Sequence, residues 1–107
     1  MTDARIMLTT AGNRDEADKI ANTLVKQELA ACVNIIGPMT SVYRWKGKVE
    51  SAAEFLLLIK TTEDAYEQVK NAVRAMHSYE IPEFVEICIS RGEGKYLSWL
   101  EQAIRYG

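Results

Sequence analysis

The sequence predicts an α+β protein of the ferredoxin-like type, a βαββαβ sandwich with a long β-hairpin and an additional C-terminal helix. Apolar residues change their period several times along the chain, from strand-like runs to helical spacing and back. The resulting order is the split βαβ pattern, which places an antiparallel sheet against two helices on one face. The chain has 107 residues with no repeat and no linker, so we expect one domain over residues 1–107.

The first strand and the first helix are adjacent in the sequence. Residues 5–11 form a short apolar run that ends at Gly12, which is typical of a buried strand. Asn13 can cap the next helix, with Glu16 in the capping-box position three residues later. Apolar residues at helical spacing then predict one buried helix face over about 13–29.

A long hairpin follows this helix. Residues 31–36 and 41–45 are rich in β-branched and aromatic types, and a short glycine turn at 46–48 joins them to a returning run at 49–60. Gly37-Pro38 interrupts the first arm. Because proline cannot donate to a central ladder, this dipeptide predicts a bulge or a bend.

The length of the hairpin predicts an oligomer. Val49–Thr62, if all strand, spans about 46 Å at ~3.3 Å per residue, whereas a compact domain of this length is only about 33 Å across. The tip must therefore leave the body, where its open edges need covering. The tip residues Tyr43, Arg44 and Trp45 are of types enriched at interfaces, and Trp99 lies off the main apolar stripe of its helix.

The second half of the sequence predicts a helix, a strand and a C-terminal helix. Thr61 is a candidate N-cap for a helix of about 62–77, and Pro82 prevents that helix from continuing. Residues 83–90 alternate in the manner of a strand, and 96–104 are amphipathic at helical spacing.

Composition excludes several classes of protein. Thirteen Lys and Arg against fifteen Asp and Glu give a net charge of −2, so we expect no nucleic-acid partner. The N-terminus lacks the apolar segment of a signal peptide, and no run is long enough to span a membrane. Cys32 and Cys88 lie in apolar strand runs, so we expect buried, inert thiols. Two cysteines without a CxxC motif do not make a disulfide framework, so we expect a reducing, cytoplasmic location.

Few residues suggest chemistry. His77, the only histidine, comes at the end of the second helix, with Glu80 and Glu83 close behind it. It is either a capping or surface histidine or a metal ligand that an intersubunit interface completes. Met76 is a soft copper(I) ligand by type, but it also continues the apolar stripe of its helix. Nothing singles out a catalytic group, so we expect no enzyme.

Five segments resemble the CutA family of divalent-cation tolerance proteins, in the family's order and over roughly residues 6–104. The hairpin motif Tyr-x-Trp-x-Gly-Lys and the turn motif His-x-Tyr-x-x-Pro-Glu are the most specific. The segments lie at 29–34, 41–50, 58–61, 77–83 and 96–100.

The resemblance implies a homotrimer, similar in architecture to the PII signalling proteins, in which the hairpins pair between subunits. It implies binding of copper or another divalent cation at clefts between subunits, without catalysis. His77, Glu80, Glu83 and Met76 are then the candidate metal ligands. The candidate cleft residues are Lys60, Tyr79, Trp45, Tyr96, Trp99 and Thr9.

One departure from the family concerns copper. Some bacterial members that are credited with copper binding carry a cysteine in the first strand and a His-His pair at the end of the second helix. Thr9 and Met76 stand at the cysteine position and at the first histidine position here, so that only His77 is retained. Threonine is a poor substitute for a thiolate ligand.

Two other readings remain open from the sequence. A PII-like trimeric regulator could bind a small anionic metabolite, to which Lys60 would contribute positive charge, or an unknown partner protein. An enzyme of the acylphosphatase kind would use a phosphate-binding loop after the first strand, where Gly12-Asn13-Arg14 fits a helix cap better.

Overall fold

A computed structural model describes residues 2–105. Four strands form one antiparallel sheet in the order β2-β3-β1-β4, so the ferredoxin-like α+β prediction is confirmed. The organisation of residues 1–107 as a single domain stays a prediction, of which residues 1, 106 and 107 lie outside the described residues. The elements are β1 Ala4–Ala11, α1 Arg14–Lys26, β2 Cys32–Trp45, β3 Lys48–Thr62, a short 3₁₀ helix Glu63–Ala65, α2 Tyr66–Met76, β4 Val85–Cys88 and α3 Gly94–Gln102.

The core lies between one face of the sheet and the two helices α1 and α2. Met7 on β1 pairs with Ile59 on β3, and both are fully buried together with Leu57. The apolar stripe predicted for α1 supplies Ile20 and Leu24 to the same cluster, and α2 supplies apolar side chains in the same way. Periodicity therefore identified the buried side of each helix.

The opposite face of the sheet is apolar, and neither α1 nor α2 covers it. Because directly paired residues of an antiparallel sheet point to the same side, the strand register assigns the members of this face. We call it the open face. Its apolar members are Ile6, Leu8, Ile36, Leu56, Leu58, Val85 and Ile87.

The hairpin is long and projects from the body, as predicted. β1 pairs with β3 only as far as Phe55, beyond which β2 and β3 continue alone to the turn. The chain measures 44 × 25 × 22 Å, and residues 42–50 are all exposed. A register shift between Ile36 and Met39 is the predicted bulge. Gly37 has φ +153° there, and a Cβ would meet the Phe55 ring at 2.8 Å, so glycine is required.

The cap prediction for α1 is half correct. Asn13 Oδ1 accepts a hydrogen bond from the backbone N–H of Glu16 at 2.8 Å, as an N-cap should. Glu16 does not reach back to Asn13. Its carboxylate instead accepts two hydrogen bonds from Ser78, which follows α2. The second half of the expected capping box therefore ties α1 to the turn after α2, and α1 ends at Lys26 rather than at 29.

The predicted helix cap at Thr61 is wrong. Thr61 belongs to β3, is fully buried, and donates its hydroxyl to the carbonyl oxygen of Leu29 at 2.7 Å. The strand continues to Thr62, a 3₁₀ turn follows, and α2 begins only at Tyr66. A threonine has good strand propensity as well as capping ability, and the sheet register decides between the two here.

Strand β4 is shorter than predicted and lies at the edge of the sheet. It covers Val85–Cys88 rather than 83–90, and all four of its residues are exposed. The expectation of buried thiols is therefore wrong for Cys88, and Cys32 is only partly buried. An edge strand pairs on one side only, so alternation does not imply burial of either face.

Candidate functional site

A cleft of about 550 Å³ lies where the hairpin leaves the body of the protein. One wall is the hairpin, and the other is the turn between α2 and β4. We call it the hairpin cleft. Its lining residues are Thr10 of β1, Ser41, Val42, Tyr43 and Trp45 of β2, Glu54 of β3, and Tyr79, Glu80, Ile81 and Glu83 of the turn.

The hairpin places its side chains by strand alternation. Ser41, Tyr43 and Trp45 are two residues apart along β2, so they point to the same side. Glu54 pairs with Met39, which continues the same alternation, so its carboxylate shares that side. Three polar or aromatic groups of β2 and one carboxylate of β3 therefore form one wall.

Tyr79 closes the inner end of the cleft against this wall. Its hydroxyl donates a hydrogen bond of 2.6 Å to Oε2 of Glu54. Burial, the hydrogen bond to Glu54 and the negative charge of Glu54 together raise the pKa of Tyr79 well above its usual range. A Cβ at Gly12 would lie 3.0 Å from the Tyr79 hydroxyl, so the absence of a side chain at Gly12 makes room for the tyrosine.

His77 lies behind the cleft and holds the turn. Its side chain is fully buried, its Nε2 bonds the carbonyl oxygen of Thr10, and its Nδ1 accepts from the backbone N–H of Tyr79 at 3.2 Å. Since a carbonyl only accepts and an amide N–H only donates, these two hydrogen bonds fit a ring with its proton on Nε2. Its ring also packs on that of Tyr79, with centroids 4.7 Å apart. In this arrangement both ring nitrogens serve to position Tyr79.

Three further hydrogen bonds fix the turn, one at its other end and two near α1. Thr9 is fully buried, and its hydroxyl donates to the carbonyl oxygen of Glu83 at 2.7 Å. Ser78 is held by Glu16, as described above. The carboxylates of Glu80 and Glu83 are left exposed beside the cleft.

The lining of the hairpin cleft is acidic. Three of the lining residues are glutamates, and within residues 2–105 none of the lining residues is Lys, Arg or His. Across the same part of the chain, no basic nitrogen lies within 4.0 Å of a carboxylate oxygen of Glu54, Glu80 or Glu83. The charged side chains of the lining are therefore all acidic, which favours a cation over an anion.

The structure brings together only part of the predicted site. Tyr79, Glu80, Glu83 and Trp45 line the hairpin cleft, and Thr9 and His77 support it from behind. The remaining predicted residues lie elsewhere in the single chain. Met76 packs against the core, Lys60 lies on the open face beside Ile6, and Tyr96 and Trp99 form an exposed aromatic pair on α3.

Sequence reasoning missed the carboxylate at the centre of the cleft. Glu54 stands in a run of small and apolar residues, Ala52-Ala53-Glu54-Phe55-Leu56, on the returning arm of the hairpin. A lone charge inside an apolar strand run is the signal that could have identified it. The sequence marks Tyr43 only as an interface type, and no local pattern marks Thr10.

The side chains do not form a complete metal centre in one chain. Among residues 2–105, no three His, Cys, Asp or Glu side chains are grouped so that they could hold one metal ion. The nitrogen, thioether and hydroxyl groups that copper would draw on are already engaged or packed elsewhere: His77 with backbone groups, Met76 with the core, and Thr9 with Glu83. The single chain therefore fits copper poorly, whereas the cleft carboxylates are donors of the type that harder divalent cations prefer.

Comparison with known proteins identifies the family. The family model described as CutA1 divalent ion tolerance protein matches residues 5–103. The chain is 44% identical over 97 residues to the divalent-cation tolerance protein CutA of Thermus thermophilus, covering 91% of this chain and 94% of that protein. It is 43% identical over 100 residues to the chloroplastic protein CutA of Arabidopsis thaliana, covering 94% of this chain but only 55% of that longer protein.

A solved structure extends the match to three dimensions. The PII-like protein CutA from Nostoc, in apo form, superposes with a TM-score of 0.89 at 32% identity, covering 96% of this chain and 99% of that one. In the described part of this chain, no helix is long and apolar enough to cross a membrane. The hairpin motif and the turn motif that suggested the resemblance form the two walls of the hairpin cleft. With the fold, the cleft motifs and these matches in agreement, the chain belongs to the family of CutA1 divalent ion tolerance proteins.

Proposed function

We propose that the protein is a homotrimer that binds divalent cations at clefts between its subunits and acts in cation tolerance by binding rather than by catalysis. The observation that carries the proposal is the acidic hairpin cleft, whose lining has three glutamates and, among residues 2–105, no Lys, Arg or His. Membership of a divalent ion tolerance family also supports binding of divalent cations.

The open face supports the trimer. Seven apolar residues lie on it, and Val85 and Ile87 are each 45% exposed in the single chain. The outer edges of β2 and β4 pair with no other strand among the described residues. Contiguous apolar surface and open strand edges favour association. Packing of the open faces would bury the apolar residues, and the projecting hairpin would reach a neighbouring subunit.

A second subunit would also complete the metal site. The hairpin cleft supplies the carboxylates of Glu54, Glu80 and Glu83. A divalent ion needs more donors than any one of these carboxylates provides, so further donors would come from the neighbouring subunit. Copper is the ion that the resemblance suggests, with His77 among its candidate ligands. For His77 to ligate a metal, its hydrogen bond to Thr10 or the one from Tyr79 must break.

Native mass spectrometry tests the oligomeric state and the metal binding together. Metal-free protein should appear as a trimer, and copper(I), copper(II), zinc and magnesium should then be added in turn. We expect uptake of one ion per subunit, with loss of uptake in Glu54→Gln. Uptake should be retained in Glu67→Gln, because Glu67 pairs with Lys70 and is not part of the cleft lining. A monomer would contradict the trimer, and equal uptake by both variants would contradict the cleft site.

The second candidate function is a PII-like regulator that binds a small anionic metabolite or a partner protein. The observation that favours it is Lys60, which lies on the open face where subunits would meet. An anion would bind there and not in the acidic hairpin cleft. Thermal unfolding with nucleotides and with metals separates the two, because a ligand at about 100 times its Kd adds ~2.7 kcal/mol of stability. The predicted cytoplasmic location stays a prediction, since one relative is named chloroplastic.

A further inference from the structure

We propose that His77 and Tyr79 are positioning residues of the hairpin cleft rather than metal ligands: buried His77 holds Tyr79, and the Tyr79 hydroxyl orients the carboxylate of Glu54 toward the bound cation. This role rests on the proposed function, because it takes Glu54 as a cation ligand. It adds to that function a reason for the turn motif, which acts on the cation through Glu54. Each contact that supports the role lies inside one subunit.

His77 is enclosed by its own subunit. Its side chain is fully buried, its Nε2 bonds the carbonyl oxygen of Thr10, and its Nδ1 accepts from the backbone N–H of Tyr79 at 3.2 Å. Association with a neighbouring subunit removes accessible surface and adds none, so the trimer gives a metal no new access to this ring. A ligating histidine coordinates through one ring nitrogen and hydrogen-bonds through the other. Both nitrogens of His77 instead hold backbone groups, and the ring thereby connects β1 to the turn.

Tyr79 is fixed by contacts at its backbone, its ring and its hydroxyl. The backbone N–H donates to His77, and the two rings pack with centroids 4.7 Å apart. The hydroxyl donates to Oε2 of Glu54 at 2.6 Å, and a Cβ at Gly12 would lie 3.0 Å from the same hydroxyl. The hydroxyl therefore has a set position relative to β1, which carries the Thr10 carbonyl to which His77 bonds.

The hydroxyl of Tyr79 in turn sets the orientation of the Glu54 carboxylate. An O–H···O⁻ bond of about 2.5–2.7 Å is a strong, charge-assisted hydrogen bond. It occupies Oε2 and leaves Oε1 as the oxygen that a cation can use. Hydrogen bonds that orient a ligating carboxylate are worth about 10–100-fold in metal affinity. Thr10, His77, Tyr79 and Glu54 thus form one path from β1 to a cleft carboxylate on β3.

Titration of the full chain with manganese(II), followed by the electron paramagnetic resonance signal of the free ion, tests the role of Tyr79. Tyr79→Phe keeps the ring and all three cleft carboxylates but removes the hydroxyl, and it should weaken manganese binding about 10–100-fold. Tyr66→Phe is the matched control. It should leave the affinity unchanged, because Tyr66 does not line the cleft and its ring packs on Phe84.

A magnetic resonance signature separates a positioning role from a purely structural one. With tyrosine labelled with ¹³C at Cζ, addition of magnesium should shift the Tyr79 signal, which is identified by its absence from Tyr79→Phe. The shift is expected because a cation on Oε1 of Glu54 withdraws negative charge from the acceptor of the Tyr79 hydroxyl. The signal of Tyr66 should stay in place. A tyrosine that only stabilised the fold would give no cation-dependent shift.

Electron spin-echo spectra of bound manganese(II) decide whether His77 is a ligand. His77 is the only histidine of the chain, so protein without a histidine tag offers no other imidazole. We expect no ¹⁴N coupling from an imidazole in the wild type, and this measurement needs no substitution of a buried residue. His77→Gln should weaken manganese binding, but it should add nothing to Tyr79→Phe, because both changes act through the same hydroxyl.

The outcomes separate this role from the proposed function. Imidazole coupling to the bound ion, equal manganese affinity in wild type and Tyr79→Phe, or a Tyr79 signal that magnesium leaves unmoved overturns the role while the cation site stands. Additive losses from His77→Gln and Tyr79→Phe overturn the part assigned to His77. Absence of divalent metal uptake, or uptake that Glu54→Gln leaves unchanged, contradicts the proposed site itself and the positioning role with it.

Discussion

Replacing Tyr79 by phenylalanine removes the hydroxyl that holds the two walls of the hairpin cleft together. In the wild type this hydroxyl donates to Oε2 of Glu54 at 2.6 Å. The variant keeps the ring, so its packing on His77 is preserved. The carboxylate of Glu54, which is nine-tenths buried, then loses its one hydrogen bond among the described residues.

The expected loss of stability is about 1–2 kcal/mol. Hydrogen bonds to charged groups contribute about 1.5–3 kcal/mol, and we take the lower part of that range because Tyr79 is 36% exposed and solvent screens the interaction. Urea unfolding followed by circular dichroism at one fixed protein concentration measures the change, since the stability of an oligomer depends on concentration. Tyr66→Phe is the control, because the Tyr66 hydroxyl makes no hydrogen bond within residues 2–105 and its ring packs on Phe84.

The pH dependence gives an independent signature. The pKa of Tyr79 is raised in the folded protein, so the unfolded chain loses this proton first, near pH 10. The stability from Tyr79 is therefore fully present below about pH 10 and is lost as the pH rises toward the raised pKa. We expect wild type and Tyr66→Phe to lose stability above about pH 10 more steeply than Tyr79→Phe. Equal slopes, or an equal loss in the two variants at neutral pH, would refute the reasoning.

Three further predictions concern the assembly, the cleft and the fold. Trp45→Asp at the hairpin tip and Ile87→Glu on the open face should each yield monomers or insoluble protein; a stable trimer from both, seen by light scattering, would place the interface elsewhere. Gly12→Ala should displace the side chain of Tyr79 and make the loss of stability above about pH 10 less steep. Gly94→Ala, with open space around its Cβ, should do neither. Asn13→Ala should cost about 1 kcal/mol through loss of the α1 cap, and no loss in urea unfolding would contradict that role.

Local sequence patterns were sufficient for most of the fold. The helical spacing of Ile20 and Leu24 identified the buried side of α1, and the glycine turn with its two flanking runs identified the hairpin. The prediction that the hairpin tip leaves the body was also correct. It follows from the difference between hairpin length and body size, which depends only on residue count and rise per residue. The element ends were less accurate. Thr61 suits both a cap and a strand, and its bond to Leu29 is a contact across 32 positions of the chain.

The candidate site was only partly predictable. The turn motif at 77–83 and the tip residue Trp45 identified two walls without showing that they face each other. The pairing of Glu54 with Tyr79 joins residues 25 positions apart, and it depends on where the hairpin leaves β1 and on the space at Gly12. Likewise, the sequence marked His77 as a ligand candidate, whereas the structure engages both of its ring nitrogens with backbone groups.

By itself the sequence determined the order of the elements, the buried sides of the helices and the projecting hairpin, because these follow from periods of 2.0 and 3.6 residues and from chain length. Only the tertiary structure decided which carboxylate lies at the centre of the cleft, what holds Tyr79 and which apolar face stays open. These features depend on strand register and on contacts between distant segments. A slip of one residue in the strand register moves every side chain of that strand to the other face of the sheet. No local pattern specifies which distant partner a side chain will meet.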